Sequence, residues 1–115
     1  MRVIPGTQDM ELICPGPGDP KLYFTGGQIV IPGMDAVPVD LKAGDCLFFN
    51  GSLVHGSSPN RSATRFRRSL IFHYIPQNTV ELAAFYSVPR RFDGSVVTIA
   101  PAEGGGPCGT PAAPP

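Results

Sequence analysis

Ala43-Gly44-Asp45-Cys46-Leu47-Phe48-Phe49-Asn50-Gly51-Ser52-Leu53-Val54-His55-Gly56-Ser57-Ser58-Pro59-Asn60 is the stretch on which the reading of this chain turns. Ala43-Gly44-Asp45 has the composition of a turn, with Asp45 as its capping side chain. Cys46 to Asn50 carries bulky residues on both faces, the pattern of a strand covered on both sides. Asn50-Gly51 is a two-residue hairpin signal. The returning residues, Ser52 to His55, then bring an imidazole to the mouth of a sheet, beside a loop of small polar residues. Metal ligands are often found in such places.

Outward from this stretch the chain keeps the same character. Fourteen Gly and fourteen Pro in 115 residues are more than long helices tolerate, and no segment holds an apolar 3.6-residue period over ten positions. The expectation is an all-β chain. Further short β-branched or aromatic runs lie between turn signals at Gln28–Ile31, Val37–Leu41, Arg67–Ile75 and Val96–Ala100, a spacing that suits a sandwich or jelly roll. Thr79–Tyr86 reads equally well as a short helix or a strand. The first fourteen residues and the following Pro/Gly-rich stretch, Cys14 to Pro20, read as loop. A chain that opens on a loop leaves its first strand without a neighbour, so upstream strands are expected to be missing. From Pro101 onward the Pro/Gly-rich sequence has little to bury and is expected to be an irregular, mobile tail.

Composition narrows the classes of function. Nine basic and nine acidic side chains give a formal charge of zero, so no field favours nucleic acid or an anionic membrane. The expected partner is a small molecule; oligomeric state is not legible. No apolar run approaches the roughly 20 residues that span a bilayer, and the first residues lack a secretory-type apolar stretch. A cytoplasmic location is the expectation. On the same ground the glycosylation-type triplet Asn60-Arg61-Ser62 is discounted. Cys14, Cys46 and Cys108 are odd in number and share no CxxC-type spacing, which reads as free thiols in a reducing compartment rather than a disulfide framework or zinc site.

Arg67-Arg68-Ser69-Leu70-Ile71-Phe72-His73-Tyr74 is β-rich, and period-two alternation puts Arg67, Ser69, Ile71 and His73 on one face. Arg67 and Ser69 can together grip one carboxylate, the guanidinium through a two-pronged charged contact and the hydroxyl through one added donor. With His55 on a neighbouring strand, a metal would stand within reach of the other end of a short dicarboxylate. His73 lies six residues beyond Arg67, roughly 20 Å along a strand at about 3.3 Å per residue, and is read as structural. Arg61, Arg65 and Arg68 are read as a solvated face.

These two runs, together with the opening Arg2-Val3-Ile4-Pro5-Gly6-Thr7, resemble the C-terminal half of the phytanoyl-CoA dioxygenase family over nearly the whole chain up to the tail. The resemblance implies a partial double-stranded β-helix of the jelly-roll or cupin-like type over residues 1–100, with 101–115 as the tail. It implies Fe(II) and 2-oxoglutarate as cofactor and cosubstrate, with ascorbate as an optional reductant. The implied reaction hydroxylates a small or acyl-type substrate while 2-oxoglutarate is decarboxylated to succinate. In that family iron is held by a His-x-Asp pair and a distant second His. His55 corresponds to the second His, Ser57 to the small hydroxyl residue that contacts the cosubstrate, and Arg67, with Ser69 completing an Arg-x-Ser pattern, to the Arg that pairs with its far carboxylate.

Two departures qualify the resemblance. The step of twelve from His55 to Arg67 is one residue longer than the family pattern leads one to expect, which leaves Arg65 as the alternative cosubstrate residue. No His-x-Asp is present either: His55 is followed by Gly56-Ser57, and His73 by Tyr74-Ile75. The expectation is therefore a fragment of an oxygenase, inactive alone. A cupin-like binding module without metal is the alternative.

Overall fold

The computed structural model describes residues 1–19, 21, 27–83, 86, 88–103 and 108. It contains short strands, turns and one 3₁₀ turn, and among the described residues there is no α-helix, in keeping with an all-β chain. The chain divides into two units, Met1–Arg68 and Ser69–Pro115.

In the first unit the opening residues are a strand, not a loop. β1 (Arg2–Val3) is the centre of a three-stranded sheet, flanked by β4 (Val37–Pro38) and β5 (His55–Gly56). Both pairings are antiparallel: Arg2 lies opposite Pro38 and Gly56, and Val3 opposite Val37 and His55. Pro38, which lacks an N–H, sits on the flanking strand, where one ladder bond can be spared. The Arg2 guanidinium donates to Ala36 O, and Val39 N–H donates to Met1 O at 3.0 Å. β2 (Gly16–Pro17) and β3 (Gly27–Gln28) form a separate antiparallel pair.

β1 ends in a turn that its sequence dictates. Ile4-Pro5-Gly6-Thr7 has Pro at the second position and Gly at the third, the type II pattern. Gly6 has φ 91° and ψ −17°, and Thr7 N–H reaches back to Ile4 O at 3.4 Å. The chain then enters the 3₁₀ turn Thr7–Asp9. An added Cβ at Gly6 would stand 3.4 Å from the Met34 methyl, in a left-handed backbone. Gly6→Ala is expected to lower stability by about 1–2 kcal/mol in urea unfolding. Gly51→Ala, where a Cβ meets nothing within 4 Å, serves as the near-neutral control.

The expected strand at Asp45–Asn50 is absent, and so is the hairpin at Asn50-Gly51. A primed hairpin turn needs positive φ at both central residues, whereas neither Asn50 nor Gly51 has one. Asn50–Leu53 is instead a simple turn, with Leu53 N–H donating to Asn50 O at 3.3 Å. Asp45 does cap its turn: Lys42 N–H donates to its carboxylate at 2.8 Å, and Asp45 N–H closes onto Lys42 O at 3.1 Å. The only buried residues among those described are Ile4, 7% exposed, and Thr7, 0% exposed. The core of this unit therefore lies directly under β1 and the turn that follows it.

In the second unit the open reading of Thr79–Tyr86 resolves to a strand at its centre. β6 (Glu81–Leu82) pairs in parallel with β7 (Ala100–Pro101), and Ala102 N–H donates to Leu82 O at 2.8 Å. Pro101 thus belongs to a strand, while residues 104–107 and 109–115 of the expected tail lie outside the described residues. An isolated bridge joins Arg90 to Val96 around a turn in which Ser95 N–H donates to Asp93 at 2.8 Å. Hydrogen bonds from the Ser95 hydroxyl and backbone hold the Asp93 carboxyl below its ordinary range. The expected strand Arg67–Ile75 does not form: all of its residues are exposed and none is in a strand. Its β-rich composition has no partner strand among the described residues, and strand preference is expressed only against a neighbour. His73 packs edge-on against Tyr86, 5.5 Å between ring centres.

The thiols are not all free. Cys14 and Cys108 are disulfide-bonded, and Cys46 is a free, exposed thiol. An odd count leaves one cysteine over, but it does not keep the others reduced. With two of the three thiols bonded, the cysteines do not point to a reducing compartment. No helix is long and apolar enough to cross a membrane among the described residues.

Candidate functional site

His55 is the sequence-predicted residue that the fold positions most fully. It lies on β5 opposite Val3, its ring is 4.6 Å from that of Phe49 at a 59° tilt, and its Nδ1 stands 2.8 Å from Leu53 O. A carbonyl can only accept, so Nδ1 must carry the hydrogen of this bond. In the neutral ring Nε2 is then unprotonated and keeps its lone pair. Metal-ligating histidines take this form, one nitrogen donating to a carbonyl and the other free to coordinate. The side chain is exposed.

The backbone around His55 is held by the opening segment, which reads from the sequence as loop, and by Asn50. Ile4 N–H donates to Val54 O at 2.9 Å. The buried Thr7 hydroxyl donates to Ile4 O at 2.7 Å and accepts from Val54 N–H at 2.8 Å. Asn50 extends the hold: its amide donates to Gln8 O at 2.8 Å, while its side-chain oxygen accepts from Leu53 N–H at 3.2 Å. The opening segment is thus a hook that grips both ends of the 50–54 turn. The sequence signal was present in Ile4-Pro5-Gly6-Thr7, a type II turn pattern ending in a hydroxyl residue.

The other predicted residues are all exposed. Ser57 is exposed in the loop after β5, and Arg65 and Arg67 are exposed in irregular backbone. The Asn60–Arg65 loop before Arg67 is ordered by its own side chains. Asn60 donates to Arg65 O at 2.7 Å, Ser62 N–H donates to Asn60 at 3.0 Å, and Arg65 N–H donates to the Ser62 hydroxyl at 3.0 Å. Ser69, also exposed, belongs to the second unit. A small open depression lies elsewhere, between Ile13-Cys14 and Gln28–Val30. Among the described residues no three His, Cys, Asp or Glu side chains come together as a metal site. They supply one imidazole of the right form and do not by themselves amount to an iron centre.

An imidazole presented beside a small-residue loop on a Gly/Pro-rich β framework defines a class of candidate metal-ligand proteins, and sequence comparison names the group within it. The family model described as phytanoyl-CoA dioxygenase (PhyH) matches residues 1–69, more than half of the chain; the chain belongs to this family. The match stops short of the expected reach to the tail, but it takes in Thr7, Asn50, His55, Ser57 and Arg67. Among curated relatives, the dioxygenase aneA of Aspergillus aculeatus is 31% identical over 64 residues, covering 56% of this chain and 22% of that protein. The dioxygenase cdmD of Talaromyces verruculosus is 32% identical over 66 residues, 57% of this chain and 21% of that protein. The Fe(II)/2-oxoglutarate-dependent dioxygenase nvfF of Aspergillus novofumigatus is 37% identical over 54 residues, 47% of this chain and 18% of that protein. The matched part of the chain spans about a fifth of the length of these relatives. No solved structure matches it significantly.

Proposed function

We propose that the chain is the C-terminal share of an Fe(II)/2-oxoglutarate-dependent dioxygenase that hydroxylates a small or acyl-type substrate and converts 2-oxoglutarate to succinate. The observation that carries this reading is the His55 ring, whose Nδ1–H is committed to Leu53 O and whose Nε2 is left with a free lone pair. Family membership and a relative named for Fe(II) and 2-oxoglutarate support it. His55 is the second iron-ligating His, and Arg67, with Ser57 and Ser69, holds the cosubstrate; Arg65 is the alternative to Arg67. The two ligands of a His-x-Asp pair come from residues outside these 115. On this reading residues 1–100 belong to a double-stranded β-helix and 101–115 are its tail. The exposure of Phe48 (84%), Phe66 (86%) and Phe92 (99%) supports a larger domain whose remaining strands cover such side chains.

When bound, iron would supply the oxygen chemistry. This chain's share is to present one ligand, to orient a dicarboxylate through a guanidinium fork, and to leave open coordination positions. The small-molecule substrate, the absence of nucleic-acid and membrane partners, and a cytoplasmic location remain parts of the proposal. The second reading, a cupin-like binding module without metal, draws its support from the absence of a His-x-Asp pair in these 115 residues. An assay separates the two readings: a longer form of the protein that includes a His-x-Asp pair releases succinate only when Fe(II) and 2-oxoglutarate are both supplied. Iron-independent behaviour of that form favours the module.

A further inference from the structure

We infer that Thr7 is a positioning residue for His55, setting the imidazole tautomer through the peptide unit that joins Leu53 to Val54. The inference rests on the reading of His55 as the functional imidazole, and its geometry is complete within the first unit. Leu53 C=O and Val54 N–H belong to one planar, trans peptide, so they point in opposite directions. The Thr7 hydroxyl, fully buried, accepts from Val54 N–H at 2.8 Å. Fixing that N–H fixes the plane, and the plane aims Leu53 O at His55 Nδ1, 2.8 Å away. The hydroxyl's own hydrogen is committed to Ile4 O at 2.7 Å, and Ile4 N–H returns to Val54 O at 2.9 Å, so Val54 is gripped at both its N–H and its C=O. The chain of hydrogen bonds runs from Ile4 O through the Thr7 hydroxyl and the 53–54 peptide to Nδ1–H, and each bond polarises the next. An imidazole without such a partner favours the opposite tautomer, with hydrogen on Nε2 and no lone pair there.

The type II turn at Ile4–Thr7 explains why a threonine at this position can serve. Gly6 turns the chain so that Thr7 is driven beneath β1 rather than outward. Asn50, holding Gln8 O, keeps the following residue in place.

The test is the protonation pattern of the His55 ring, read by long-range proton–nitrogen correlation on the ¹⁵N-labelled 115-residue chain at neutral pH with no metal added. Wild type and Thr7→Ser, which keeps the hydroxyl, are expected to show hydrogen on Nδ1. Thr7→Val, which keeps the shape and removes the acceptor, is expected to shift the ring toward the Nε2–H form. It should also speed hydrogen exchange at the Val54 amide by about tenfold or more, while amides of the Arg90–Val96 turn are unchanged. Retention of the Nδ1–H form in folded Thr7→Val overturns the inference, as does an Nε2–H ring in wild type. Should Thr7→Val not fold, Thr7→Cys decides: its sulfur is a weak acceptor of similar size, and a ring indistinguishable from wild type overturns the inference there. Because no metal enters any arm, a failure of His55 to bind iron in the longer protein would remove the proposed function and leave the role of Thr7 standing.

Discussion

Supplied with Fe(II), ascorbate and 2-oxoglutarate, the 115-residue chain is expected to release no succinate above background, while a longer form that includes a His-x-Asp pair turns over. A facial iron site of this kind needs two imidazoles and a carboxylate. The sequence holds two histidines and no His-x-Asp, and no three-ligand group comes together among the described residues. The gap between the two forms should exceed about 100-fold, since even outer-shell partners of a metal site are worth about 10- to 100-fold and here two direct ligands are at issue. Comparable rates in the two forms would mean that the short chain assembles a ligand set of another kind.

The second large effect concerns the cosubstrate. In the longer form, Arg67→Lys is expected to raise the 2-oxoglutarate KM by roughly 10- to 100-fold while iron affinity holds. A point ammonium cannot reproduce the two-pronged contact of a guanidinium, and each charge-assisted hydrogen bond lost is worth about 1.5–3 kcal/mol. In the free chain the Arg67 side chain is exposed and makes no hydrogen bond or ion pair among the described residues, so its replacement should not disturb the hook at Thr7. An unchanged KM, with the rise appearing in Arg65→Lys instead, would move the role two residues upstream and account for the long step from His55.

What the sequence made legible was local chemistry. The Asp45 cap followed from a short side chain beside a Gly turn, and His55 does stand in a strand beside a polar loop, although that strand is His55–Gly56 rather than Ser52–His55. The strand Val37–Leu41 was found, though it is only two residues long at Val37–Pro38. What could not be read were features that depend on distant partners. Arg2-Val3 reads as loop because two residues ahead of Ile4-Pro5-Gly6 carry no period, yet it is the strand that both β4 and β5 need. Thr7 carried no mark of burial, since its fate was set by the positive φ of Gly6 and by Val54, 47 residues away. Arg67–Ile75 erred the other way: its composition promised a strand, but a strand requires a neighbour to accept its hydrogen bonds. The cysteines show the same limit, because parity and spacing do not reveal which thiols are bonded.

Whether His55 presents Nε2 to iron is decided by anaerobic Fe(II) binding to the longer form with and without His55→Ala, followed by calorimetry. One tight iron is expected in the parent protein and a loss of affinity of about 100-fold or more in the variant, on the same scale of ligand contributions, with the fold retained by circular dichroism. A His55→Ala protein that binds iron as tightly as its parent would contradict the role of His55 as an iron ligand.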